Sequence, residues 1–380
     1  MGKYIQEYIL EHAKEKWFEG HYSPLQVVKT NTPYIMSYGG RNLGKTFAWL
    51  ILIYAIWQCE GYKSVLMRRM AETLKSSKVA ETFTKVFDLG YVPNNKGYTG
   101  ITYRTGAWRG YWTDEKGKTT YDEAFCYPFA LSSKIETNKG VSDIEKLGII
   151  FFDEALTADN YLTDEWGRFQ NAVSTLVREN SQACCVLCAN TVSWVAPYFR
   201  EFGIKNVRSI KKGTVKVFQC LDETAVTLEY CNDVVTNRKK KIVDRRFFGF
   251  KSGTADMIRV GGWEMQSYQH LTREMLDGQD KEIITRDIYL TYGDEIVCFE
   301  LMRLEDYGLI VNVRPASDYE QGQLIYGTMD HIDSRFRYSP QANSGIDKVI
   351  WGLYKRHHFY YADNLCGETV KKYLQEIGMI

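Results

Sequence analysis

Gly39-Gly40-Arg41-Asn42-Leu43-Gly44-Lys45-Thr46 fits the phosphate-loop pattern G-x-x-x-x-G-K-[ST], and no other stretch of this chain narrows its possible folds as much. Such a loop works between a strand and a helix, because the helix N-terminus adds its free amides and its dipole to the anion site. The flanks agree: residues 33–38 read as a short apolar strand and residues 46–58 as a helix. The pattern also fixes a chemistry. Backbone amides from Gly39 through Phe47 would wrap the phosphates of ATP, with Lys45 reaching the β- and γ-phosphates and the Thr46 hydroxyl holding Mg²⁺. Arg41, inside the loop, is a candidate cation for charge that develops on the transferred phosphoryl group.

A phosphate loop alone does not separate kinases, switches and motors. Ile149-Ile150-Phe151-Phe152-Asp153-Glu154 does more of that sorting, because it is an apolar strand ending in two acids. Asp153 at the strand tip would hold the metal opposite Thr46, and Glu154 would act as general base on the attacking water. A small-molecule kinase needs no water activator, so the second acid points to hydrolysis. A third apolar strand ends in Cys188-Ala189-Asn190-Thr191, which places Asn190 to sense the γ-phosphate or position the water. Arg178 closes the preceding helix and is a candidate arginine finger for a neighbouring subunit. Lys139, in the polar loop Glu136-Thr137-Asn138-Lys139-Gly140, is a candidate contact to a neighbour's nucleotide or to a DNA phosphate.

The first half alternates strand and helix: strands at 33–38, 64–69, 147–152 and 183–189, helices at 46–58, 71–87 and 166–178. The strands read as continuous apolar runs, as expected when both faces are covered, so the fold class is α/β with a parallel sheet between helices. Residues 90–128, rich in Gly, Tyr, Trp and Thr, read as a β excursion or lid. The whole-chain charge of +1 hides an uneven distribution. Residues 205–260 hold 13 Lys or Arg against 6 Asp or Glu, a surplus of +7 that leaves the rest near −6. Lys211, Lys212, Lys239, Lys240 and Lys241 lie in this segment, which suits contact with a polyanion. The expected domains are 1–205 for the nucleotide core, 206–264 for a basic linker domain and 265–380 for a C-terminal domain. The C-terminal domain carries a helix at 265–276, strands at 288–292, 295–301 and 309–313, and a last helix at 368–377. Met1 to Lys16 is polar and charged, unlike a secretory leader, and the nine cysteines then read as reduced thiols. Cys185 and Cys188 have C-x-x-C spacing inside an apolar strand and read as core. The apolar run Phe47 to Trp57 is too short to span a bilayer, and no membrane partner is expected.

With these residues in place, the chain resembles the DNA-packaging ATPases of phi29-like phages, relatives of the terminase large subunits. The resemblance rests on Gly39–Thr46, Val65-Leu66-Met67-Arg68-Arg69 and Phe151-Phe152-Asp153-Glu154. Its most specific part is Ala189-Asn190-Thr191-Val192-Ser193-Trp194-Val195-Ala196-Pro197-Tyr198-Phe199, similar to the family's S-N-x-V-S-x-x-x-P-Y-F. The resemblance implies an ASCE-type P-loop ATPase, in which an additional strand and a catalytic glutamate accompany the loop. It also implies a ring of five subunits at the portal of an empty phage head, working in the host cytoplasm. Its implied partners are double-stranded DNA, the portal, further copies of the chain and a structural packaging RNA. It aligns Arg178 with an arginine-rich patch of the family, of which this chain keeps one arginine before Glu179-Asn180-Ser181-Gln182. Lys139 falls one position out of register with a lysine of the family.

The resemblance further implies a C-terminal RNase H-like nuclease domain. Active members hold two metals with a carboxylate inside the first strand and others converging on it. Residues 288–292 contain no acid; Asp287, Asp294 and Glu295 lie at the ends, and Asp330, Asp333, Asp347 and Asp363 complete no evident set. A vestigial, catalytically silent domain is therefore expected, docking DNA, RNA or the portal. Three rivals are a full terminase that also cuts DNA, a nucleotide-binding scaffold or switch on nucleic acid, and a cellular helicase. The helicase would need single-strand unwinding motifs that the chain lacks.

Overall fold

Leu147–Asp153 is apolar up to its last residue, and all seven positions are buried. Along a strand side chains alternate between faces, so Phe151 and Phe152 report what covers each side of the sheet. Phe151 stacks on Trp49 of the helix Lys45–Glu60, and Phe152 stacks on Phe169 of the helix Glu165–Val177. Helices therefore cover both faces. The computed structural model describes residues 4–74, 81–133, 144–157, 161–178, 180–220, 224–233, 268–277, 280–319, 322–328, 336–340 and 345–380. The chain divides into two compact units, the first holding 1–157, 165–191 and 208–263, the second 158–164, 192–207 and 264–380.

The strands of the first unit are β1 (Tyr34–Gly39), β2 (Lys63–Arg68), β3 (Gly100–Arg104), β4 (Ala107–Thr113), β5 (Thr119–Ala130), β6 (Leu147–Asp153), β7 (Cys184–Asn190), β8 (Val215–Gln219) and β9 (Ala225–Tyr230). They form one sheet in the order β3-β4-β5-β2-β6-β7-β1-β9-β8. Its interior, from β5 through β9, is parallel. The strand bearing Asn190 lies between the phosphate-loop strand β1 and the acid-bearing strand β6, which is the additional-strand order of an ASCE fold. The helix Lys45–Glu60 buries 12 of its 16 residues. It ends at Gly61, whose left-handed backbone (φ 70°) lets its N–H donate to Trp57 O at 3.1 Å.

Several expectations shift here. Residues 90–128 are β-rich as expected, but β3, β4 and β5 extend the central sheet itself, and β5 pairs in parallel with β2. The described part of the basic linker segment also joins this sheet, because β9 pairs in parallel with β1 and antiparallel with β8. The division into units thus departs from a boundary at 205/206. The helix expected over 71–87 resolves into a 3₁₀ turn at Ala71–Leu74 and a helix at Thr84–Asp88, with 75–80 outside the described residues.

The second unit holds β10 (Lys281–Thr285), β11 (Ile288–Tyr292), β12 (Glu295–Leu304), β13 (Gly308–Ala316), β14 (Leu324–Gly327), β15 (Phe336–Arg337) and β16 (Phe359–Tyr361). β11, β12 and β13 form an antiparallel meander. β14 then adds in parallel on the free side of β11, followed by β15, which gives the RNase H-like order β13-β12-β11-β14-β15. β16 pairs with β13 and β10 with β12. Phe299, Tyr326, Trp351, Phe359 and Tyr373 form the centre of its core, drawn from the sheet and the helices Gly345–Lys355 and Asn364–Glu376. Asp363 caps the latter helix by accepting from Cys366 N–H at 2.9 Å.

Candidate nucleotide site

The loop leaves β1 at Gly39 and reaches its helix through two left-handed residues, Asn42 (φ 63°) and Gly44 (φ 87°). A Cβ on Gly44 would lie 3.1 Å from His21 Nδ1, so position 44 is restricted by space as well as by backbone. Tyr22 N–H donates to Leu43 O at 2.8 Å and ties the preceding segment to the loop. Lys45 is 6% exposed. Its ammonium donates to Gly40 O at 2.8 Å, Gly39 O at 3.2 Å and Asn190 Oδ1 at 3.4 Å. Burial holds its pKa below the usual lysine range, so an anion beside it would favour the charged form.

The acids meet this loop from β6. Thr46 Oγ1 donates to Asp153 Oδ1 at 2.8 Å. Two hard oxygen donors so placed beside a phosphate loop suit Mg²⁺. Asp153 is buried, which raises its pKa, while Arg68 and Thr46 pull the other way. Arg68 Nη2 lies 2.5 Å from Asp153 Oδ2 and Nη1 lies 3.8 Å from Glu154 Oε2. Glu154 has a left-handed backbone (φ 62°) and an exposed side chain. Arg69 binds Glu165 through two hydrogen bonds and donates to the backbone carbonyls of Glu154 and Ala155.

A cleft of about 430 Å³ is lined by Arg41, Asn42, Leu43, Gly44, Lys45, Thr46, Phe47, Glu154 and Asn190. It gathers the loop, the candidate base and the candidate sensor from three separated stretches of sequence. Gly39 and Gly40 do not line it but accept from Lys45 through their carbonyls, and Asp153 sits against Thr46. Arg178 does not join them. It is exposed just past the helix Glu165–Val177, two residues before Asn180, whose Oδ1 accepts from Leu147 N–H at the start of β6, the end opposite Asp153. Lys211 is exposed, and Lys212 pairs with Asp233 at 2.9 Å; neither lines the cleft. Lys139, Lys239, Lys240 and Lys241 lie outside the described residues, as do Asp330 and Asp333. Cys185 and Cys188 are buried free thiols in β7.

Sequence reasoning assigned no role to Arg68, Arg69, Glu165, Tyr22 or Glu229. The signal for the arginines was their place at the tip of β2, which becomes meaningful once β2 is known to neighbour β6. Glu229 of β9 is buried, with its pKa raised by burial, and accepts from Tyr22 Oη at 2.5 Å and Ser37 Oγ at 2.7 Å.

A family model described as podovirus DNA encapsidation protein (Gp16) matches residues 19–258, more than half of the chain. Among solved structures, the phi28 gp11 DNA packaging motor is similar with a TM-score of 0.54 at 14% identity, covering 95% of this chain and 98% of that one. The bacteriophage phi29 viral genome packaging motor assembly is similar with a TM-score of 0.55 at 15% identity, covering 94% of this chain and 99% of that one. At these identities the two structures speak to fold. No curated protein matches the chain.

Proposed function

The chain belongs to the podovirus DNA encapsidation protein family, and from that footing we propose that it is the ATP-driven subunit of a motor that moves double-stranded viral DNA through the portal into an empty phage head. The observation that carries the ATPase reading is the convergence of Lys45, Thr46, Glu154 and Asn190 on one cleft, with Asp153 bonded to Thr46. The loop amides and Lys45 hold the phosphates. Thr46 and Asp153 hold Mg²⁺, which when bound neutralises charge on the phosphate oxygens. Glu154 takes the proton of the attacking water, and Asn190 orients that water or reads the γ-phosphate. Arg41 is the cation within the subunit. Arg178, exposed at the far end of β7 from Asn190, is assigned to a neighbour's cleft in a ring of five.

Lys211 and Lys212, with Lys239, Lys240, Lys241 and Lys139 from the sequence, are assigned to phosphate contacts without base readout. The second unit is read as a silent docking module for DNA, a structural RNA or the portal. Supporting this, β11 carries no carboxylate, and among the described residues Asp347 is paired with Arg337 and belongs to no cluster of potential metal ligands. Among the described residues no helix is long and apolar enough to cross a membrane. The working site is read as the host cytoplasm, at the portal vertex.

The test is ATP turnover with and without double-stranded DNA and purified empty heads, with supercoiled plasmid and Mn²⁺ in a parallel reaction. Turnover stimulated by DNA and heads is expected, with no linear plasmid. Turnover indifferent to both would remove the motor reading, and linear plasmid would restore the nuclease.

A further inference from the structure

Glu154 combines two demands that oppose each other: its carboxylate must be aimed at the cleft, and its backbone sits in a left-handed conformation that non-glycine residues seldom adopt (φ 62°). Something must hold that turn. Arg69, at the tip of β2, donates from Nη1 to Glu154 O at 3.2 Å and from Nη2 to Ala155 O at 2.7 Å. The same guanidinium donates to Glu165 from Nε at 2.7 Å and from Nη2 at 2.9 Å. On the other side, Ala155 N–H donates to Cys188 O of β7 at 2.9 Å. The turn is thus pinned between the two strands that flank β6.

The pair is deeply set: the side chains of Arg69 and Glu165 are 11% and 1% exposed. A buried ion pair is weak support for stability, since apolar residues of the same volume often do as well. What an apolar pair cannot supply is the fork of N–H groups that reaches two consecutive carbonyls while still holding a carboxylate. Arg68 differs, because it touches the carboxylates of Asp153 and Glu154 themselves. Arg69 donates instead to the backbone that carries the second of them.

We propose that Arg69 and Glu165 are positioning residues for hydrolysis: Arg69 locks the turn that aims Glu154, and Glu165 holds Arg69 in register. This rests on the reading of Glu154 as the base. The test compares wild type with Arg69→Lys, Glu165→Gln, the double variant and Glu154→Gln. Three quantities are read: kcat, equilibrium affinity for ATP, and amide hydrogen exchange across residues 150–156. Arg69→Lys keeps the charge but loses the fork, so kcat should fall about 10- to 100-fold, the scale of a small misplacement of a reacting group, with ATP affinity within about twofold. Glu165→Gln should lose about 3- to 10-fold, and the double variant no more than Arg69→Lys, because the pair acts as one unit. Exchange at Ala155 should rise while Phe151 stays protected.

Unchanged kcat and exchange in folded Arg69→Lys would overturn the proposal, as would parallel losses in kcat, ATP affinity and thermal midpoint, the pattern of a structural pair. If Arg69→Lys does not fold, Glu165→Gln decides alone by the same readouts. The exchange measurement does not depend on turnover. An inactive wild type, or an active Glu154→Gln, would therefore sink the base assignment while leaving the clamp testable.

Discussion

Asp153 and Glu154 finish β6 where the strand ends of the first unit open on a cleft of about 430 Å³. Glu300, within β12 of the second unit, is 4% exposed and accepts from Arg286 Nε at 2.6 Å and Asn312 Nδ2 at 2.9 Å, with Arg314 Nε at 3.4 Å. Asp347 there is 1% exposed and accepts from Arg337 and from Tyr326 Oη. Both units place acids against arginines. In the first, the guanidiniums leave a carboxylate at the rim of open space; in the second, each acid is enclosed by its own donors. A carboxylate so enclosed is already held by protein donors and shut away from solvent. The residue type is shared, and the surroundings decide whether it can do chemistry.

The largest effect that could break this comparison is on turnover. Glu154→Gln should lower kcat by about 10³-fold, within the range for a lost general base, and leave ATP bound. Glu300→Gln should leave kcat unaltered in the same assay. A comparable loss from both would mean that the second unit takes part in the chemistry. Next in size is stability. Asp347→Ala leaves Arg337 and Tyr326 facing a buried gap, and should cost the second unit about 3 kcal/mol in urea unfolding, the scale for breaking a buried pair.

The smallest effect sharpens the contrast inside the first unit. Burial raises the pKa of Glu229 despite hydrogen bonds from Tyr22 and Ser37. The native state then binds its proton more tightly than the unfolded chain, so this group favours the fold at low pH. The contribution is lost as pH rises from about 4.3, the unfolded value, through the native one. Glu229→Gln keeps an acceptor for both hydroxyls and removes the charge. Its urea midpoint should gain on wild type as pH rises from 4 to 8; parallel curves would show that Glu229 stays ionised at no cost.

Much of the candidate nucleotide site was legible because its residues are local in sequence. Gly44, Lys45 and Thr46 are consecutive, and Asp153 and Glu154 end a short apolar run of the kind expected of a strand buried on both faces. What was not legible depends on strand order. Arg69 meets Glu165 across 96 residues, and that β8 and β9 join the sheet of the first unit was not legible, because the pairing of β9 with β1 leaves no mark on composition. In the second unit, β14 to β16 are four, two and three residues long, too short for an alternating pattern to register. The helix Gly345–Lys355 was missed although amphipathic; its buried Asp347 and two glycines weaken the apolar face that a reader looks for. The terminal helix, expected from 368, begins at Asn364, where the Asp363 cap sets the start.

Gly39 opens the phosphate loop without needing a positive φ. Its requirement is room: a Cβ there would lie 2.9 Å from Cys231 Cβ and 3.1 Å from Leu43 Cδ1, just where Cys231 N–H donates to Tyr38 O at 2.8 Å. The first letter of the fingerprint is therefore, in this chain, a rule about the neighbouring strand's exit. Alanine at 39 should act as a wedge, prising the end of β9 from β1 and weakening ATP binding. Trimming Cys231 to glycine in the same molecule should relieve most of that loss, so the two positions would be free to drift only as a pair.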